Sequence, residues 1–295
     1  MANYVLSCES TADLTVGFFK EEDIDFICYH YTLDGVDHID DFGQSLPLAT
    51  FYKEMAEDKM THTSQISLGE YLPYFESFVK QGKDVLHLTL SSGLSSTYNS
   101  ACTAAQMLME KYPGRKILIV DSLCASSGFG LLMSRLSELR KGGMSLGDLR
   151  TYAEEHKLNV QHWFFSTDLK YYVRGGRVSK TAGFIGNLLH ICPLLNVDED
   201  GHLIPREKVR TVKKVEDAEV EKMVQNCDNG LDYDEECFIS NSGCLDYAKE
   251  TRDKVEAKFP KLKGKVKIFD IGAIIGAHAG PGTVALFFFG KKRTN

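Results

Sequence analysis

Val85-Leu-His-Leu-Thr-Leu90-Ser91-Ser-Gly-Leu-Ser-Ser96-Thr97-Tyr98 is the stretch whose reading decides the fold. Val85 to Leu90 reads as a strand, Ser91 to Ser96 as a polar turn, and the chain then enters a helix. That helix carries Tyr98, Ala101, Ala105, Leu108 and Met109 on one face and ends near Pro113-Gly114. Upstream, Leu68, Tyr71, Leu72, Phe75, Phe78 and Val79 repeat at three- and four-residue steps. They predict a helix from Leu68 to Gln81, stopped by Gly82. Tyr4-Val5-Leu6 starts an earlier strand, followed by the polar turn Ser7 to Thr11. Downstream, Ile117 to Val120 reads as a buried strand ending at Asp121, and Ser126 to Lys141 as a further helix. Strands and helices alternating in this rhythm imply a parallel sheet covered by helices on both faces.

One more helix follows Gly142-Gly143, with Leu146, Leu149 and Tyr152 in phase, and then the rhythm changes. Gln161 to Thr167 reads as a strand, and Lys170 to Lys180 as a cationic, glycine-containing loop. Leu194 to Val197 and His202 to Pro205 flank Asp198-Glu199-Asp200-Gly201, a hairpin signal. Two helix–strand units and a last strand, Thr283 to Phe289, complete a mixed α/β half. The fold class is therefore α/β in two domains. Residues 1–158 form an N-terminal parallel-sheet, Rossmann-like α/β/α domain, and residues 159–295 a C-terminal mixed α/β domain. The closing Lys291-Lys292-Arg293 reads as a solvated tail.

A length of 295 residues suits two domains, and 43% apolar with 25% charged residues describes a packed globular chain. The net charge of −7 leaves no cation excess for a phosphate backbone, which argues against nucleic acid as a partner. The start has no basic segment leading into an apolar stretch, so no signal peptide is expected. No run reaches membrane-spanning length; the most apolar window, Ile271 to Gly290, is broken by five glycines, His278 and Pro281. Eight cysteines without a Cys-x-x-Cys pair, several inside apolar patterns, fit reduced thiols in a cytoplasmic protein.

Hydroxyls concentrate in Thr61-His62-Thr63-Ser64-Gln65-Ile66-Ser67 and again in Ser91 to Thr97. Loops that follow the strands of a parallel sheet gather at its carboxyl edge. A helix N-terminus there offers unpaired N–H groups to an anion. The same hydroxyls suit ordinary N-capping, which leaves both readings open. Arg174-Gly175-Gly176-Arg177 sets two cations around a turn, either to meet an anionic ligand or an acidic partner, or simply as an exposed loop. His278, within Gly276-Ala-His278-Ala-Gly280-Pro281-Gly282, offers an imidazole donor to an oxyanion or a structural core histidine. G-x-S-x-G and G-x-x-x-x-G-K-[ST] are absent, Gly128-Phe-Gly130 opens no dinucleotide fingerprint, and no spacing suggests a metal.

In order along the chain, Glu9-Ser-Thr-Ala-Asp-Leu14, Thr63-Ser-Gln-Ile-Ser67, Ser91-Ser-Gly-Leu-Ser-Ser-Thr-Tyr-Asn-Ser-Ala101 and Asp121-Ser122 resemble the DegV family. Arg174-Gly-Gly-Arg177, the stretch from Pro193 through Gly201 to Arg210, and His278-Ala-Gly-Pro-Gly282 extend the resemblance over nearly the whole sequence. It implies two α/β domains with a long-chain acyl tail buried between or inside them. Thr63 and Ser95 would hold the carboxylate, with the backbone N–H of Ser96 as a third donor and His278 close by. Arg174 and Arg177 would sit near the mouth or a docking surface.

The resemblance also implies a non-catalytic, fatty-acid-binding subunit of a bacterial fatty acid kinase, with fatty acid as ligand and no cofactor. A separate ATP-binding kinase subunit would be its partner in phospholipid metabolism. Two other functions use the same residues: a binder of a phosphorylated small molecule at the helix N-terminus, and an esterase with Ser95 as nucleophile and His278 as base. Tunnel width would depend on Phe164, Phe165, Phe184, Ile185, Leu188 and Leu189. The chain departs from the family pattern at Glu9 (usually Asp), Ile66 (usually Pro), Ser96 (usually Gly) and Ala279 (usually Thr). A positive φ at residue 96 would strain a serine and misplace the third donor.

Overall fold

A computed structural model describes residues 4–178 and 191–294. The chain begins with strand β1 (Tyr4–Glu9), helix α1 (Val16–Glu21) and three short strands, β2 (Ile24–Ile27), β3 (His30–Leu33) and β4 (Val36–Ile39). It continues through α2 (Leu48–Ala56), β5 (Thr61–Ser64), α3 (Leu68–Val79), β6 (Asp84–Thr89) and α4 (Thr97–Lys111). Then come β7 (Ile117–Asp121), α5 (Ser126–Lys141) and α6 (Leu146–His156). Four of these strands form a parallel sheet in the order β2-β1-β6-β7. The predicted parallel sheet is thus present.

Sequence periodicity did not reveal the three-stranded antiparallel sheet β4-β3-β5. The hydroxyl run at Thr61 is one of its strands rather than a loop. Alternation along β5 turns His62 and Ser64 to solvent and leaves Thr61 and Thr63 half-buried. Strands of four residues carry too short a pattern to stand out against the surrounding polar chain.

The remaining elements are β8 (Val160–Ser166), α7 (Lys170–Arg174), β9 (Ile191–Val197), β10 (Leu203–Arg210), α8 (Val212–Asn226) and β11 (Cys237–Asn241). They end with α9 (Leu245–Lys258), β12 (Lys267–Asp270), α10 (Ala273–Ala279) and β13 (Thr283–Phe289). A separate six-stranded mixed sheet runs β10-β9-β8-β13-β11-β12, antiparallel except for the parallel pair β11–β12. The predicted cationic loop begins as the single-turn helix α7, and its residues 179 and 180 lie outside the described residues.

Helix α5 joins the two sheets. Twelve of its sixteen residues are buried, including Phe129, Leu131, Leu132 and Leu136, as expected of a helix covered on all sides. One apolar cluster runs from Leu6, Leu86 and Val120 of the parallel sheet through Phe129 and Leu132 to Phe164, Ala285 and Phe287 of the mixed sheet. Gly130 lets this helix approach the first turn of the chain, since a Cβ there would sit 2.6 Å from the Ala12 carbonyl oxygen. No helix among the described residues is long and apolar enough to cross a membrane. All eight cysteines are free thiols, with Cys124 and Cys237 buried.

The solvated-tail expectation is overturned at Arg293, which is 4% exposed. Its Nη1 donates to the Asp198 carbonyl (3.0 Å) and its Nη2 to those of Leu123 (2.7 Å) and Lys157 (3.4 Å). Three carbonyls from separate segments converge there, and a guanidinium can serve all of them. Lys291 and Lys292 remain exposed. Arg293→Ala should lower the unfolding free energy in urea by about 2–3 kcal/mol, whereas Lys292→Ala should stay within about 0.5 kcal/mol. Equal effects for the two would show that the buried guanidinium contributes nothing.

Candidate functional site

The loop after β6 folds back on itself before α4 begins. The Leu94 and Ser95 N–H groups both donate to the Ser91 carbonyl, at 3.0 and 3.1 Å. Ser91 Oγ accepts the Gly93 N–H (3.1 Å) and donates to the Gly201 carbonyl (2.9 Å) in the β9–β10 hairpin. The hairpin backbone presses on the loop so closely that a Cβ at Gly93 would lie 2.8 Å from the Asp200 oxygen. Ser95 Oγ accepts the Thr97 N–H at 3.3 Å, while Ser96, the residue preceding α4, makes no side-chain capping bond. Its φ of −82° is ordinary, so serine at this position is unstrained. One hydroxyl of the run thus meets a helix N–H, as N-capping requires, and that of Ser96 does not.

Thr63 on β5 and His278 on α10 meet across the site, with Oγ1 and Nε2 2.9 Å apart. Burial, reinforced by the nearby Arg177 cation, pushes the His278 imidazole down to about 4. Its Nδ1 is buried without a partner among the described residues. Gly175 is what admits the ring: a Cβ there would overlap His278 Nδ1. Gly280 takes φ +70° just after α10, and a side chain there would collide with the Tyr171 ring on α7. The two glycine-containing motifs therefore serve one contact, α7 against α10.

The two arginines part company. Arg177 is half-buried and donates through Nη2 (3.0 Å) and Nε (3.2 Å) to the Leu94 carbonyl, and through Nη1 to the Gly175 carbonyl (2.6 Å). It clamps the hydroxyl loop to the Arg174–Arg177 turn. Arg174 is exposed, its guanidinium 5.6 Å from the Tyr171 ring centre, and it lies outside the cavity wall.

Thr63, Ser95, Ser96, Arg177 and His278 all line one cavity of about 480 Å³. That volume falls within the range of small-molecule sites. Its apolar wall comes from the mixed sheet, where Thr283, Ala285 and Phe287 alternate inward along β13 and face Ser166, Phe164 and His162 of β8. Thr283 Oγ1 donates to the Ala279 carbonyl (3.4 Å), beside His278. At ~3.4 Å per residue, Phe287 lies roughly 13 Å farther along the strand, so the wall runs deep. His162 breaks that apolar surface without leaving a polar atom idle. Its Nε2 accepts the Ala125 N–H (3.3 Å), its Nδ1 lies 3.0 Å from the Val160 carbonyl, and burial keeps it neutral. Of the expected width-setting residues, Phe164 lines the cavity. Phe165 points to the opposite face of β8, into the core under α8 and α9. Phe184, Ile185, Leu188 and Leu189 lie outside the described residues.

Two carboxylates that the sequence reading noted only as members of a family motif, with no role, hold the site together. Glu9, fully buried at the end of β1, accepts the Leu90 N–H (2.8 Å) and the Tyr29 hydroxyl (3.1 Å) on Oε2. Its Oε1 accepts the hydroxyls of Thr97 (3.0 Å) and Tyr71. Asp13, φ 46°, accepts the Gly272 N–H (2.9 Å) at the start of α10 and the Ser126 hydroxyl (2.5 Å) at the start of α5. Asp40 adds a bond to the Ala273 N–H (3.2 Å). The available signal was an acid directly following the apolar run of β1, a costly position unless donors converge on it. Which donors converge was not readable. Asp198, Asp200 and His202 also cluster, but Asp198 Oδ1 already receives the N–H groups of Asp200 (3.0 Å) and His202 (2.8 Å) as a turn lock.

Residues 6–291 match the family model described as uncharacterised protein, DegV family. The chain belongs to the DegV family. A DegV domain-containing protein of Clostridium perfringens is 36% identical over 99% of both chains. A DegV lipid-binding protein from Thermotoga maritima superimposes with a TM-score of 0.85 at 27% identity over the full length of both. A fatty acid binding DegV family protein from Streptococcus agalactiae gives 0.84 at 27% identity, covering 99% of this chain and all of its own. The mixed α/β fold, with its parallel sheet and separate mixed sheet, is thus the DegV fold.

The imidazole environment makes a direct prediction. His278 should stay neutral from pH 9 down to about 5 and titrate near 4 by NMR. Because its folded value lies below the unfolded one, it contributes stability above pH ~6.5 that is lost as pH falls through about 4. Gly175→Ala should push the ring off Thr63 and move its shifts; a titration near 6.5 in the parent protein would contradict the buried placement.

Proposed function

We propose that this chain binds a long-chain fatty acid in the cavity between α10, the hydroxyl loop and the mixed sheet. Thr63, Ser95 and the Ser96 N–H hold the carboxylate, and His278 stands beside it. The observation that carries this reading is one hollow with hydroxyl donors gathered at α10 and a deep apolar wall along β13. The fatty-acid- and lipid-binding relatives of the same fold support it. A tail of about fifteen buried methylenes at ~0.8 kcal/mol each gives gross stabilisation on the order of 12 kcal/mol, before ordering costs. The head group needs donors to replace lost water, and neutral hydroxyls with a helix-terminal N–H supply them. With its proton on Nε2, His278 donates to Thr63 Oγ1 and frees the threonine hydrogen for the ligand.

On this reading the chain is non-catalytic and works in the cytoplasm of a bacterium, presenting the carboxylate to a separate ATP-binding kinase subunit for acyl-phosphate formation. The missing phosphate loop supports that division of labour. Arg174, exposed beside the Arg174–Arg177 turn, suits docking, whereas Arg177 suits the mouth of the cavity. The esterase alternative loses support because His278 Nε2 faces Thr63 and no acid meets its Nδ1 among the described residues. A phosphorylated small molecule would leave the wall along β13 unused.

Denaturing extraction and mass spectrometry of protein purified from a bacterial host should release fatty acid. An empty protein that also fails to take up palmitate or oleate would end the proposal. Thr63→Ala with Ser95→Ala should weaken binding by about a hundredfold or more, each lost bond to a charged group being worth ~1.5 kcal/mol or more. Unchanged affinity would remove both side chains from the head-group site.

A further inference from the structure

Glu9 sits directly behind the hydroxyls of the cavity. Tyr29 lines the cavity and donates to Glu9 Oε2 at 3.1 Å, and its oxygen also interacts with the Ser95 and Thr97 hydroxyls. Thr97 in turn donates to Glu9 Oε1, and its N–H to Ser95 Oγ. An anion held by Ser95 would therefore be linked to the Glu9 carboxylate through a single phenol. We propose that Glu9 is a positioning residue of the carboxylate site, and that it takes one proton from solvent for each fatty-acid carboxylate bound; this rests on the fatty-acid reading above.

The geometry supplies the reason. Glu9 is fully buried, and the groups facing it are all neutral: Tyr29 from the segment between β2 and β3, Tyr71 from α3, Thr97 from α4, Thr11 from the turn after β1, and the Leu90 N–H. Among the described residues no salt-bridge partner is found for it. Burial pushes its carboxyl up to about 7, against the downward pull of those hydrogen bonds. A second carboxylate entering the same enclosed site repels the first, and two neighbouring buried anions relieve the repulsion when one of them binds a proton.

Protonation also changes the direction of the network. Ionised Glu9 accepts from both Tyr29 and Thr97. Protonated Glu9 becomes a donor on one oxygen, so one of the four hydroxyls around it must turn to accept, and where that is Tyr29 or Thr97 its hydrogen is freed toward Ser95. The ligand's charge and the orientation of the donors holding it are thereby coupled. Of the other ionisable groups near the site, His278 titrates near 4 and Arg177 stays cationic although burial lowers its value. Burial also lifts Asp40 to about 6 and Asp13 well above its usual range, but both face the N–H groups of α10, and comparison with Glu9→Gln separates their protons from that of Glu9.

Calorimetric titration of the full chain with oleate at pH 6.5 and 8.5, in buffers of different ionisation enthalpy, reads the protons taken up on binding. The expected result at pH 8.5 is uptake approaching one proton per ligand. Affinity should fall by up to about tenfold per pH unit above 7 in the parent protein, and less in Glu9→Gln, whose amide cannot titrate. Comparing the two proteins with the same ligand cancels the titration of oleate itself. Normal binding with no proton uptake overturns the role of Glu9 and leaves the fatty-acid reading intact. Equal pH slopes in parent and Glu9→Gln do the same. Should Glu9→Gln fail to fold, Tyr29→Phe, which removes the phenol on Glu9 Oε2, takes its place, and a pH slope equal to that of the parent protein overturns the role of Glu9. Absence of oleate binding at both pH values overturns both proposals.

Discussion

Burying two carboxylates at the end of β1 is the constraint on which the rest of the structure depends. A carboxylate taken from water into a packed core is destabilising by several kcal/mol unless donors surround it. Glu9 and Asp13 lie four residues apart, on either side of the turn Ser10–Ala12, and each draws its donors from a different part of the chain. Glu9 collects the Leu90 N–H and three hydroxyls, which places the loop after β6 and the first turn of α4. Asp13 collects the Gly272 N–H and the Ser126 hydroxyl, which places α10 and α5. The hydroxyl loop and the helix bearing His278 are therefore set relative to one another by a single short segment.

Close backbone approach completes the frame. Gly93 admits the β9–β10 hairpin to the hydroxyl loop, and Gly175 admits the His278 ring to the Arg174–Arg177 turn. Arg177 then ties that turn to Leu94, and Arg293 ties the hairpin to the loop after β7. Each contact joins segments far apart in sequence, and the two arginines serve carbonyls on both sides of theirs. A cavity survives in so tight a frame because its lining mixes small residues (Ala125, Ala279 and Ala285) with rings held by their own partners. His162 is fixed at both nitrogens, and Tyr172 by Thr283. A core with larger side chains at those alanines would close over the space.

The alternation of β6, α4, β7 and α5 was legible because each element is long enough to show its period, and Ser126–Lys141 was bounded to the residue. The antiparallel sheet built from β3, β4 and β5 was not legible, because four polar-rich residues carry no period of their own. Of the candidate residues, Thr63, Ser95, Ser96, Arg177 and His278 could be picked out as polar side chains in hydroxyl- or glycine-rich stretches, and they do line one cavity. Arg174, equally conspicuous, points away from it. Glu9 and Asp13 entered only as members of a motif, and Arg293 as part of a solvated tail, because a charged residue beside polar neighbours reads as solvated until the donors or acceptors around it are known.

The amino-acid order by itself determined the elements of the parallel half, the family, and the polar side chains available to a ligand. These follow from local periodicity and from motifs that survive without knowledge of contacts. Tertiary structure alone decided that Thr63 meets His278 across 215 positions, that Glu9 stands behind Ser95, and that Arg293 is buried. Burial and hydrogen-bond partnership are properties of segments brought together in space, so no local pattern in the chain could encode them legibly.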